Sequence, residues 1–82
     1  THIYPNPFNP TTLINYGLPE SGNIRISVYD ITGKEVAILL DSFQSRGYYS
    51  IKWNASSYTS GIYFIQLISD YHLITQKVIL IK

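Results

Sequence analysis

Asn23-Ile24-Arg25-Ile26-Ser27-Val28-Tyr29 alternates without a break: Ile24, Ile26 and Val28 point one way, Arg25 and Ser27 the other. Successive side chains of a strand face opposite sides of a sheet, so this pattern predicts a half-buried β-strand. Asp30-Ile31-Thr32-Gly33 ends it as a type I turn, with Asp at the first position and Gly taking the left-handed conformation at the last. A second strand follows at about Lys34 to Leu40, so the pair is a hairpin.

The same grammar extends in both directions. Upstream, a strand is expected from about Thr12 to Leu18, with Ile14, Tyr16 and Leu18 on one face, ending in the turn Pro19-Glu20-Ser21-Gly22. Downstream, the loop Asp41 to Gly47 leads to a strand in which Tyr49, Ile51 and Trp53 share a face against Ser50 and Lys52. Asn54 to Gly61 reads as a polar loop. Strands at about Ile62 to Ser69 and His72 to Ile81 are joined by a tight turn at Asp70-Tyr71. A short seventh strand is available at Ile3-Tyr4. Residues 1–11 form a proline-rich lead-in: Pro5, Pro7 and Pro10 remove backbone donors and hold Tyr4, Asn6 and Asn9 extended. There Asn6 and Asn9 are expected in local Asx turns, and Tyr4 and Phe8 at the edge of the core.

Composition agrees. Thirteen of the 82 residues are isoleucine, whereas Ala and Glu supply two each. Branched and aromatic side chains suit a pleated surface better than a helix. Strands spaced by about ten residues and joined by short loops predict an all-β fold, an immunoglobulin or fibronectin III-like β-sandwich of about seven antiparallel strands in one domain spanning residues 1–82. Charged residues are 13% of the chain, about half the usual ~25%. The net charge of +1 lacks the clustered Lys and Arg that a nucleic-acid partner needs. The longest apolar runs are four or five residues, against the ~20 of a membrane helix. With no Cys there is neither disulfide nor thiolate chemistry, and the absence of Met is expected of a piece of a longer protein or a processed product.

No catalytic constellation emerges. His2 and His72 stand alone, whereas a metal site needs at least three converging ligands. Glu20, Asp30, Glu35, Asp41 and Asp70 fall mostly in turns, where Asp has a structural role. No nucleophile elbow, phosphate loop or calcium loop is present, so neither enzyme activity nor a cofactor is expected. Asn54-Ala55-Ser56 matches the glycosylation acceptor pattern. Among the aromatics, Tyr16, Tyr49, Trp53 and Tyr63 are expected in the core and the rest at sheet rims. The rival reading is a sugar-stacking platform with Tyr48, Tyr58 and Tyr71. Val78-Ile79-Leu80-Ile81, bracketed by Lys77 and Lys82, is an unbroken apolar quartet. It implies either burial on both faces or an element offered to a partner by edge pairing, with the lysines as gatekeepers.

One family resemblance spans the chain. Tyr4-Pro5-Asn6-Pro7-Phe8-Asn9-Pro10-Thr11-Thr12, followed by Ile14 and Tyr16, resembles the opening of the C-terminal sorting domains (type A) of the type IX secretion system, and of the related immunoglobulin-like domain of the flagellar hook-cap protein. The likeness continues at Val28-Tyr29-Asp30-Ile31-Thr32-Gly33-Lys34-Glu35-Val36, at Gly47 and Trp53-Asn54, at Ser60-Gly61-Ile62-Tyr63-Phe64, and at Lys77-Val78-Ile79-Leu80-Ile81-Lys82. Lys34 stands where Arg is common, and Ile65-Gln66 where Tyr-Arg is usual. The resemblance implies a seven-stranded, non-catalytic C-terminal domain that directs a cargo fused upstream through the outer-membrane secretion machinery to the bacterial cell surface or medium. In many members a sortase-like peptidase then removes the domain, and the cargo is anchored to surface lipopolysaccharide. It also implies recognition residues at Gly61, Tyr63, Lys77 and Lys82, on a scaffold that includes Tyr4, Pro5, Asn6, Pro7, Phe8, Asp30, Gly33 and Trp53. The alternatives are a retained structural or adhesive module, self-associating or bound to protein, and a carbohydrate-binding module.

Overall fold

The computed structural model describes residues 1–82. Seven strands form two antiparallel sheets: β1 (His2–Tyr4), β2 (Thr11–Leu18), β3 (Gly22–Tyr29), β4 (Glu35–Gln44), β5 (Gly47–Asn54), β6 (Gly61–Ile68) and β7 (Leu73–Leu80). Their orders are β1-β2-β5 and β4-β3-β6-β7. The fold is therefore the all-β sandwich that the alternation predicts, with the short seventh strand at His2–Tyr4. No helix is long and apolar enough to cross a membrane.

The alternating residues meet between the sheets. Ile14, Tyr16, Leu18 and Trp53 come from one side, and Ile24, Ile26, Val28, Tyr63, Ile65, Leu67, Val78 and Leu80 from the other; all are buried. Two polar side chains are buried with them, each hydrogen-bonded. Thr12 Oγ1 donates to Pro5 O at 2.7 Å, and Ser27 Oγ accepts from Arg25 Nε at 3.2 Å. Arg25 also pairs with Glu35 at 3.0 Å and lies 3.6 Å from Asp41. The guanidinium is the main reason the Glu35 carboxyl is held below the usual carboxylate range.

Two segments depart from the expected pattern. β4 continues through Asp41–Gln44, where a loop is expected from the sequence, so only Ser45 and Arg46 separate it from β5. Its apolar run Val36-Ala37-Ile38-Leu39-Leu40 does not alternate because the register against β3 slips twice, between Ile26 and Ser27 and again between Val28 and Tyr29. Each bulge inserts an extra residue and twists the strand. The bulges also blunt β4 as an edge. The second departure is β7. Val78 and Leu80 are buried, Ile79 is half-buried and Ile81 is exposed. The quartet is thus one-sided, not buried on both faces, and it lies at the margin of the four-stranded sheet.

What protects that margin is the proline-rich lead-in. Asn6 does not make the expected local turn. Its Oδ1 accepts from Ile79 N at 3.0 Å, and its Nδ2 donates to Lys77 O at 3.0 Å. Phe8 pairs with β7 in parallel: Phe8 N donates to Ile79 O, and Ile81 N to Phe8 O, both at 2.9 Å. Residues 6–8 therefore satisfy Lys77 O, both backbone groups of Ile79 and Ile81 N, which would otherwise template pairing with another chain. Phe8 is buried as expected, but Tyr4 is not; it is 66% exposed. β1 pairs with β2 so that Ile3 faces inward opposite Ile14, which turns its neighbour Tyr4 outward.

Replacing Asn6 with Ala removes both side-chain bonds and is expected to lower stability by about 1–2 kcal/mol, at the usual net value per bond. Amide exchange at Ile79 should speed up in Asn6→Ala. Unchanged protection there would show that the edge is held by Phe8 alone.

Candidate recognition surface at the C-terminal end of the sandwich

The lead-in, the β3–β4 turn, the β5–β6 loop and the C-terminal residues lie at one end of the sandwich, where β3, β5 and β7 finish and β4 and β6 begin. Each is fixed by residues that the sequence singles out. In the β3–β4 turn, Gly33 N donates to Asp30 O at 3.0 Å. Asp30 Oδ1 accepts from Thr32 Oγ1 at 2.6 Å, Thr32 N at 2.9 Å and Lys34 N at 3.1 Å. These bonds favour the ionised carboxylate, and they hold the Asp30 carboxyl below its ordinary value, with the Thr32 hydroxyl the largest cause. Gly33 closes the turn at φ +88°, open to glycine and costly for other residues.

The β5–β6 loop rests on an aromatic cluster. Trp53 is buried, and its ring centroid lies 5.5 Å from Phe8, 5.6 Å from Tyr58 and 5.5 Å from Tyr63. The hydroxyls of the two tyrosines act as pins: Tyr58 Oη donates to Val36 O at 2.9 Å, and Tyr63 Oη to Thr59 O at 2.7 Å. Ala55 N donates to Pro10 O at 2.8 Å, tying the loop to the lead-in. Asn54 Oδ1 accepts from Ser56 N at 3.0 Å, so the side chain of the acceptor-pattern asparagine is used as a turn cap.

The C-terminus folds back on this loop. Lys82 N donates to Ser60 Oγ at 3.0 Å, and Lys82 Nζ to Ser56 O at 2.6 Å. Between the β3–β4 turn and residues 57–63 lies an open hollow of about 460 Å³. Ile31, 71% exposed, and Ile62 line it, and Ile81, 52% exposed, precedes Lys82. Exposed aliphatics beside hydroxyl side chains make a surface suited to protein contact.

Of the recognition candidates, Gly61 and Lys82 reach this surface. Gly61 has φ +153° and open space where a Cβ would sit, so its backbone conformation rather than crowding is what calls for glycine. Tyr63 lines the hollow but is buried, and acts by holding Thr59 in place. Lys77 stands apart on β7, exposed and opposite Phe64, with only its carbonyl engaged, by Asn6. Ile31, Ile62 and Ile81 fall within the family-like stretches, but the sequence does not single them out as recognition residues. In the sequence they look like further strand or turn residues, and their exposure is set by where the strands end. No group of three or more His, Cys, Asp or Glu side chains is placed to hold a metal ion. Among the other aromatics, Tyr48 is exposed, Tyr58 is packed on Trp53, Tyr71 is exposed on a turn, and Tyr49 is half-buried against Tyr16.

The secretion system C-terminal sorting domain model matches residues 2–82. The chain belongs to this family, the C-terminal sorting domains of type IX secretion. No curated protein matches it. Membership makes the chain a C-terminal sorting signal, which implies a cargo fused upstream and export to the cell surface or the medium.

Proposed function

We propose that this sorting domain acts without catalysis, and that the secretion machinery reads the C-terminal end of the sandwich, centred on Gly61, Lys82 and the exposed Ile31, Ile62 and Ile81. The observation that carries the reading is the double tie of Lys82 to Ser56 and Ser60. It holds the chain's last residues against a loop that is itself pinned by Trp53, Tyr58 and Tyr63, so the end is presented in one conformation. A pre-organised surface loses less entropy on binding. The apolar rim supplies contact area, and the single ammonium of Lys82 supplies orientation. A sortase-like peptidase that removes the domain would act on the chain upstream of it, away from this surface.

The test is a secreted reporter fused ahead of the chain, with Ile31→Asp and Ile81→Asp combined. Both side chains are solvent-facing, so the fold should survive within about 1 kcal/mol, while export falls at least tenfold. Unimpaired export of a folded double variant would place the recognised surface elsewhere.

A further inference from the structure

We propose that the outer face of the three-stranded sheet binds a carbohydrate chain, acidic in preference to neutral. On this face the exposed rings are held in place by the strands. His2 and Tyr4 are neighbours along β1, with ring centroids 6.2 Å apart and planes within 9° of parallel. Tyr48, 95% exposed, lies across Gly17, its cross-strand partner; a Cβ at Gly17 would come within 3.0 Å of the Tyr48 ring. The missing side chain thus leaves the room in which an aromatic ring lies over the sheet backbone.

Tyr48 is also a wall shared by two open hollows of about 500 and 510 Å³. Between the rings, the register places Asn15 beside His2 and Ser50 beside Asn15, an amide and a hydroxyl in one row. Tyr48 and His2 are two strands and two residues apart, about 12 Å from ordinary strand spacing and rise, a distance that a trisaccharide spans. Flat apolar rings with a few fixed polar groups between them are what a sugar ring needs: stacking on its C–H face and hydrogen bonds at its rim.

The character of the face selects the occupant. Leu13 is its only aliphatic side chain, whereas the opposite sheet exposes Ile62, Ile68 and Leu73. A protein partner suits that second face better. β1, β2 and β5 contain no Asp or Glu. Arg46 lines one of the hollows, and Lys52 lies opposite Leu13. An aromatic, carboxylate-free face bordered by cations complements an anionic sugar.

The experiment titrates the 82-residue chain with tetragalacturonate and with cellotetraose, following backbone amide shifts. Saturable binding of tetragalacturonate is expected, weakened by salt and mapped to β1, β2 and β5. Tyr48→Ala should weaken it about tenfold, the scale of one stacking contact, while Tyr71→Ala, on the β6–β7 turn, leaves it unchanged. Export of a reporter should be the same with Tyr48→Ala as without it, which separates this face from the sorting surface. The proposal is overturned by absence of saturable shifts at millimolar sugar, by cellotetraose binding as tightly as tetragalacturonate, or by equal losses in the two tyrosine variants.

Discussion

Trp53→Ala is expected to lower the stability of the domain by about 3–5 kcal/mol, the usual cost of deleting a large aromatic from a core. For 82 residues the whole stability is about 4–12 kcal/mol by per-residue scaling, so the variant sits near the unfolding threshold. At about 4–8 °C per kcal/mol for a domain of this size, its melting temperature should fall by about 12–40 °C. The effect is large because Trp53 supports several separate elements at once. Its ring contacts Phe8 of the lead-in, Tyr58 of the β5–β6 loop and Tyr63 of β6. Phe8 in turn carries the parallel pairing that seals β7. Removing the indole leaves a cavity beneath the C-terminal end that Tyr58 and Tyr63 cannot fill without giving up their hydroxyl hydrogen bonds. Melting is read by far-UV circular dichroism, since Trp53 is the only tryptophan. A melt within a few degrees of the parent would show that the aromatic cluster is not the support of this end.

Truncation after Gln76 is expected to abolish export of a fused reporter, and to do so by unfolding the domain. The six deleted residues include Val78 and Leu80, both buried, each worth about 2–5 kcal/mol by analogy with core truncations. The partners of Asn6 and Phe8 go with them. Loss of export in the truncated chain therefore reports the fold and says nothing about which groups are read. The informative companion is Lys82→Ala, which leaves the core intact and removes the one ammonium group on the proposed surface. Its stability should stay within about 1 kcal/mol of the parent, with export reduced at least tenfold. A truncated chain that still melts cooperatively would overturn the structural role of β7. A folded Lys82→Ala variant exported normally would remove Lys82 from the recognised surface.

The two experiments touch the boundary between what local pattern reveals and what it hides. Gly61 and Lys82 are legible as candidates because the family motif marks them. Tyr63 carries the same motif, yet β6 turns it inward, where its hydroxyl holds the loop. The apolar quartet Val78 to Ile81 looked two-sided because a run of apolar letters does not show which members face water. The same ambiguity stretched the expected loop over Asp41–Gln44, where a twice-bulged edge strand tolerates charged and apolar residues alike.

The sequence by itself determined that this is an all-β chain of seven strands with a tight Asp30–Gly33 hairpin. Period-two alternation and turn residues act over a few positions, and each can be read where it stands. The whole-chain likeness to sorting domains was legible for the same reason. Only the tertiary structure decided that the proline-rich lead-in is the seal on the last strand. Asn6 meets Lys77 and Ile79 across 71 and 73 positions of chain. Its amide would serve a local turn equally well, and the choice follows from β7 presenting unpaired backbone groups where Phe8 and Trp53 bring the lead-in alongside.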